Sequence, residues 1–135
     1  MIFAGFSAGG DDETTAVVIL DRATQWVDCF PCLTKDTDDT LSALQQFVGL
    51  SPARCVCSDN SMEIRKAVRQ FGRMHSCATP YRPETNGVVE RTVRSVLGGA
   101  RSVLVHAGLP HWYWPYACRY YGFMRNIQYI DGVSA

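Results

Sequence analysis

No run of about 18 consecutive apolar residues occurs in the 135-residue chain, which argues against a membrane-spanning helix. Its start, Met1-Ile2-Phe3, lacks the basic flank and long apolar stretch of a secretory signal, so a soluble, intracellular protein with no membrane partner is expected. Internal repeats and low-complexity tracts are missing too. Lysine is scarce: only Lys35 and Lys66 stand beside eleven arginines. Histidine is limited to His75, His106 and His111, at no metal-ligand spacing, and all three read as ordinary side chains.

What is present fits one core. At 47% hydrophobic residues, 135 residues are enough for a single domain spanning 1–135 and too few for two comfortable ones. Six cysteines, at 29, 32, 55, 57, 77 and 118, form an even set. Without a secretory signal they are expected to be reduced core thiols. Zinc stays open as an alternative, since Cys29-Phe-Pro-Cys32 has metal-knuckle spacing, although Cys55-Val-Cys57 is separated by one residue only.

Net charge is zero, yet the signs are segregated. Residues 1–63 carry ten acids against Arg22, Lys35 and Arg54, whereas 64–135 carry ten bases against Glu84, Glu90 and Asp131. Such asymmetry points to a polyanion partner for the second half or to solvated helix faces. The preponderance of arginine, suited to bidentate phosphate contact, favours the former.

Local patterns give the element order β-β-β-α-β-α-β-α-α. Ile2 to Ser7 reads as a short strand, and Thr15 to Leu20 is a continuous β-branched, apolar run expected of a buried central strand. Gln25 to Phe30 alternates and then meets Pro31, which predicts the end of a third strand. Acids at 36–39 followed by Leu41, Leu44, Phe47 and Val48 predict a helix over 37–48. A strand over 54–57 leads into Ser58-Asp59-Asn60, then a helix with Ile64, Ala67, Val68 and Phe71 on one side, closed by Gly72. Met74 to Ala78 is a last strand, residues 79–87 are expected to be a polar loop with two prolines, and two helices follow, divided by Gly108-Leu-Pro110. Antiparallel strands followed by alternating strands and helices imply an α/β layer architecture with a mixed sheet.

Two carboxylates stand out. Asp59 follows an apolar strand and precedes a helix, a place at the ligand-binding edge of an α/β sheet that is more often the place of a helix N-cap than of a metal ligand. Glu90 lies early in the long helix. At 100° per residue, Val89, Val93, Val96, Ala100 and Val103 cluster between about −60° and −140° from it, while Arg94 and Arg101 fall at roughly +40° and +20°, on its own side. That pattern suits an exposed Glu-Arg surface pair and equally a helix that holds a metal at one end and follows phosphates with the rest.

Cys57-Ser-Asp-Asn60, Pro80-Tyr-Arg-Pro-Glu-Thr-Asn-Gly-Val-Val-Glu-Arg91 and Gly108-Leu-Pro-His-Trp-Tyr-Trp-Pro-Tyr-Ala117 together resemble the catalytic core of retroviral and long-terminal-repeat retrotransposon integrases. Asp21-Arg-Ala-Thr-Gln-Trp26 resembles that family's turn between strands two and three. The resemblance implies an RNase H-like fold with a five-stranded mixed sheet flanked by helices, DNA as partner, a homodimer, no small-molecule substrate, and a nuclear or retroelement-particle location. It also implies metal-dependent cutting and joining of DNA by two Asp and one Glu that hold two divalent ions, magnesium or manganese, where hard cations need close-set carboxylates.

By motif position Asp59 matches the second aspartate and Glu90 the glutamate, with thirty residues between them. Tyr81, Asn86 and Gly87 match the loop flanking the family's active site and, with Arg94 and Arg101, are the candidate DNA contacts. The departure is in the first strand, where Gly5 occupies the place of the first aspartate and no acid is present. Asp11 and Asp12 fall in the following turn, and Asp21 is expected to cap a turn. Metal is therefore expected to bind weakly and strand transfer to be impaired, the alternative being a non-catalytic nucleic-acid-binding or dimerisation module on the same fold. The aromatics from Trp112 to Phe123, at helical spacing, are expected in core or subunit packing rather than stacked on bases.

Overall fold

The uninterrupted apolar run forms β2 (Thr15–Leu20), which lies between β1 (Ile2–Gly5) and β3 (Val27–Cys32) in an antiparallel sheet. This computed structural model describes residues 2–5, 9–49, 55–58, 61–77 and 83–128, with side chains for all of these except 2–5, 77 and 83–86. β2 is apolar throughout because both of its faces are covered. On one side Val17 and Ile19, with Phe30 and Cys32 of β3, pack against Ala43 and Leu44 of α1 (Thr37–Val48) and Ile64, Ala67 and Val68 of α2 (Met62–Phe71). On the other, Ala16 and Val18, with Val27 and Cys29, meet Val96, Ala100 and Leu104 of α3 (Pro83–Ala107) and Trp114, Ala117 and Cys118 of α4 (Trp114–Ile127). Each larger aliphatic side chain sealed this way contributes about 1.5–3 kcal/mol relative to exposure.

The helices begin and end where local chemistry dictates. Asp36 caps α1, its carboxylate accepting from the Thr37 amide, with Asp38 and Asp39 in the first turn. Gly72 closes α2 in the left-handed region at φ 72°, a conformation that costs glycine nothing. A short 3-10 turn, His111–Tyr113, leads from α3 into α4.

β4 (Cys55–Ser58) pairs in parallel with β5 (Met74–Cys77), the arrangement expected when α2 forms the crossover between them. Among the described residues the strands make two sheets, β1-β2-β3 and β4-β5, rather than the single five-stranded sheet expected from the sequence. The described parts of β1 and β4 are only four residues each and form no ladder with one another. Val56 of β4 nevertheless packs on the cluster that holds Val17 and Ile19, so both sheets share the α1–α2 layer.

Two further expectations are corrected. Pro31 lies inside β3, opposite Ala16, rather than ending it. β3 has no second strand neighbour among the described residues, and an edge strand tolerates a missing N–H on its open side. Helix α3 starts at Pro83, so Asn86 and Gly87 belong to its first turns and not to a loop. Proline lacks only a donor that the first helical turn leaves unused, which allows the helix to begin there. No helix among the described residues is long and apolar enough to cross a membrane.

Candidate functional site

The candidate residues stand on three elements: Asp59 follows β4, Gly5 ends β1, and Glu90 lies in the N-terminal third of α3. β4 finishes at Ser58, which is buried, and Ser58 Oγ lies 2.7 Å from His75 Nε2 on β5. This side-chain bond fixes the strand end one residue before Asp59. Asp59 itself lies outside the described residues, as do Tyr81 and the side chain of Asn86. His75, read from sequence as ordinary, thus joins the two strands; its pKa is held below the usual histidine value by desolvation, reinforced by the Arg65 charge.

Glu90 is exposed on α3, and Arg94 and Arg101 are exposed with it, while Val96 and Ala100 are buried and Val93 and Val103 partly so. The wheel arithmetic is therefore realised in the packing. Gly87 contributes its carbonyl, which accepts from Arg91 Nε at 3.2 Å, and Thr92 Oγ1 donates to the Val88 carbonyl at 3.0 Å. Both bonds hold the turns around Glu90. Helix α3 also packs against β1 and β2, which brings the Glu90 helix over the strand that carries Gly5.

Gly5 pairs with Thr15 at the end of β1 and has no side chain to offer a cation. The nearby acids do not take its place. Asp11 accepts from the Tyr116 hydroxyl at 3.2 Å, its turn held to the approach to α4 by a Gly10 amide to Trp112 carbonyl bond of 3.0 Å. Asp12 is exposed in the same turn at φ 65°. Asp21 accepts from the Ala23 amide and the Thr24 hydroxyl, bonds that lower its pKa and make it the turn cap expected from sequence. Among the described residues no group of three or more His, Cys, Asp or Glu side chains could hold a metal ion. Gly5 offers no donor, so Asp59 and Glu90 alone would supply two carboxylates, fewer than a two-ion clamp needs.

The cysteines divide by element. Cys29, Cys32 and Cys118 are buried, whereas Cys55 and Cys57 are exposed on β4, contrary to the expectation of core thiols throughout. Two-residue spacing points both β4 thiols to one face, and it is Val56 that turns to the core. Desolvation pushes the Cys32 thiol up to about 11, and a thiol hydrogen bond with Cys118, followed by desolvation, pushes Cys29 well up.

The aromatics divide likewise. Trp114 is buried and Tyr121 packs on the α3–α4 cluster, its hydroxyl 3.1 Å from Ser95 Oγ. Trp112, Tyr113, Tyr116, Tyr120 and Phe123 are exposed, so of the expected core or subunit packing the core alternative fails for them. Several line an open concavity of about 850 Å³ between α3 and α4.

Sequence reasoning missed a second concavity, of about 440 Å³, lined by Met62, Arg65, Lys66, Arg69, Arg73 and His75. Its signal was available in the i, i+3, i+4, i+7 spacing of Met62, Arg65, Lys66 and Arg69.

No family model matches the chain. In an alignment 114 positions long that covers 79% of the chain, it is 31% identical to the retrovirus-related Pol polyprotein from transposon RE2 of Arabidopsis thaliana, and 30% identical, with the same coverage, to that from transposon RE1. It spans 8% of the length of each of these relatives. In fold it is similar, at a TM-score of 0.76 and 18% identity over 98% of its length, to 49% of a chain in the cryo-EM structure of the simian T-cell lymphotropic virus intasome in complex with PP2A regulatory subunit B56 gamma.

Proposed function

Because the chain belongs with the retrovirus-related Pol polyproteins of transposons and carries an integrase-like domain, we propose that it is a DNA-binding integration domain whose own strand-transfer chemistry is crippled at Gly5. The observation that carries this reading is the exposed row Glu90, Arg94 and Arg101 on the helix packed over an acid-free β1. Arg94 and Arg101 bind the phosphates of DNA that approaches along α3, while Tyr81, Asn86 and Gly87 contact it beside the site. Asp59 and Glu90 hold a single magnesium or manganese ion weakly. When bound, that ion neutralises charge on a phosphodiester, but one ion cannot clamp both the attacking and the leaving oxygen. In this reading β4 lies beside β1, so that the strands act as one five-stranded sheet, which would carry Asp59 toward Gly5.

The exposed aromatics of α4 and the turn before it serve as the contact of a homodimer, and the domain works in the nucleus or in a retroelement particle. A non-catalytic binding or assembly module is the second reading, favoured by the same Gly5. Isothermal titration with manganese separates the two: a site lost in Glu90→Gln supports residual metal binding, and no heat at all supports the module.

The decisive experiment compares the unaltered chain with Gly5→Asp in magnesium-dependent nicking of duplex DNA. No appreciable nicking is expected before the substitution and at least a 100-fold gain after it, since the restored carboxylate acts directly on the ions, where even outer-shell partners are worth about 10–100-fold. The gain disappears when Glu90→Gln is added. Robust nicking by the unaltered chain, abolished by Glu90→Gln alone, overturns the claim of impairment.

A further inference from the structure

We propose that the outer face of α2 is a second nucleic-acid-binding surface, separate from the Glu90–Arg94–Arg101 row of α3, which grips a phosphate backbone without reading its sequence. Met62, Arg65, Lys66 and Arg69 fall within an arc of about 100° on the helix, opposite Ile64, Ala67 and Val68, which are completely buried. The core side thus fixes which way the basic side points: outward. Arg73, just beyond the helix end, and His75 on β5 complete the wall of the 440 Å³ concavity. Four cationic side chains gather here beside His75, and no acid is among the described residues of the lining.

No carboxylate among the described residues forms an ion pair with Arg65, Arg69 or Arg73. Arg73 is stacked over the Phe71 ring at 5.7 Å, which steadies its guanidinium and leaves its N–H edge available. Holding this many cations together is unfavourable in the free protein, and a polyanion relieves it.

The spacing selects the kind of polyanion. Arg65 and Arg69 are one helical turn apart, about 6 Å along the axis, and Lys66 widens the row sideways. A ladder of that pitch suits consecutive phosphates on one strand. Arginine's fork bonds each phosphate through two N–H groups, so the row needs no fixed lateral register. Among the described residues of the lining Met62 alone is apolar, which gives little to recognise a peptide side chain or a base edge.

This surface needs no metal and no intact catalytic triad, and it stands if strand transfer proves absent. It rests on the DNA reading only in the choice of probe. The test is binding of the full chain to a fluorescent duplex DNA, by anisotropy across a salt series, for the unaltered protein, for the triple variant Arg65→Ala, Arg69→Ala, Arg73→Ala, and for Arg94→Ala with Arg101→Ala. Circular dichroism melts confirm that each variant folds, as expected for exposed substitutions.

Three lost phosphate contacts are expected to lower the slope of log K against log salt by about 3, roughly 0.9 for each, with affinity down roughly tenfold or more at 0.1 M salt. An Arg65→Lys, Arg69→Lys, Arg73→Lys variant keeps most of the slope because charge is retained. An unchanged slope and affinity in the triple alanine variant overturn the proposal, as does a surface that binds poly-glutamate and not DNA. If the α3 pair alone lowers the slope, the α2 face is wrong and the α3 reading stands; if the α2 triple alone does, the reverse holds.

Discussion

Asn126 is the residue whose role is most sharply defined by its contacts. It is buried on α4, where its Oδ1 accepts from the Val27 amide at 2.9 Å and its Nδ2 donates to the Val27 carbonyl at 2.7 Å. The carboxamide thus supplies the backbone partner that the open edge of β3 lacks. Asn126→Ala strands both groups of Val27 and is expected to cost about 2–4 kcal/mol in urea unfolding. Asn126→Asp should do no better, because an oxygen then faces the Val27 carbonyl. A loss below about 0.5 kcal/mol for both, the size of an ordinary surface change, would show that the edge is satisfied by water instead.

His75 supplies the pH dependence at this scale. Its pKa in the folded chain is depressed below 6.5, first by desolvation and then by Arg65. As pH falls past about 6.5 the unfolded chain takes up the proton before the folded one, so stability present above that pH is lost as the pH drops through the folded value. Thermal melts between pH 7.5 and 5 should show a decline that His75→Gln reduces. An identical pH profile in the variant would assign the decline to other groups.

At the scale of elements, Gly98 and Gly99 test the α3–α4 packing side by side. A Cβ at Gly98 meets nothing within 4 Å, whereas one at Gly99 overlaps the Tyr121 ring. Gly98→Ala is expected to stabilise the chain by about 0.5–1 kcal/mol through helix propensity. Gly99→Ala is expected to destabilise it by roughly 1–3 kcal/mol, since the ring can move only by giving up its Ser95 contact and its place in the cluster. Opposite signs in the two melting temperatures are the check; equal gains would mean that α4 packs less closely than described.

The same scale explains which elements were legible. The helix over 37–48 was readable to the residue because its signals are local: acids at the start, apolar spacing of 3 and 4, glycine at the end. The start of α3 was not, since Pro83 and Gly87 argue for a loop by composition, while their cost in the opening turns of a 25-residue helix is small. Pro31 misled for a related reason. Proline stops a central strand, and only topology tells which strand has an open edge.

Across the whole molecule, the sequence alone determined the burial of both faces of β2, the inward stripe of α3 and the absence of a carboxylate at Gly5. These follow from an unbroken apolar run, from a period of 3.6 residues and from side-chain identity, none of which needs a partner. The candidate site was legible only as separate motifs, Asp59 in one and Glu90 in another. Tertiary structure alone decided what meets across long stretches of chain: Ser58 with His75, and Asn126 with Val27. It also decided that Cys55, Cys57 and most of the α4 aromatics face outward. Periodicity says which face of an element is apolar, but whether a neighbour covers that face depends on how the elements pack, which no local pattern encodes.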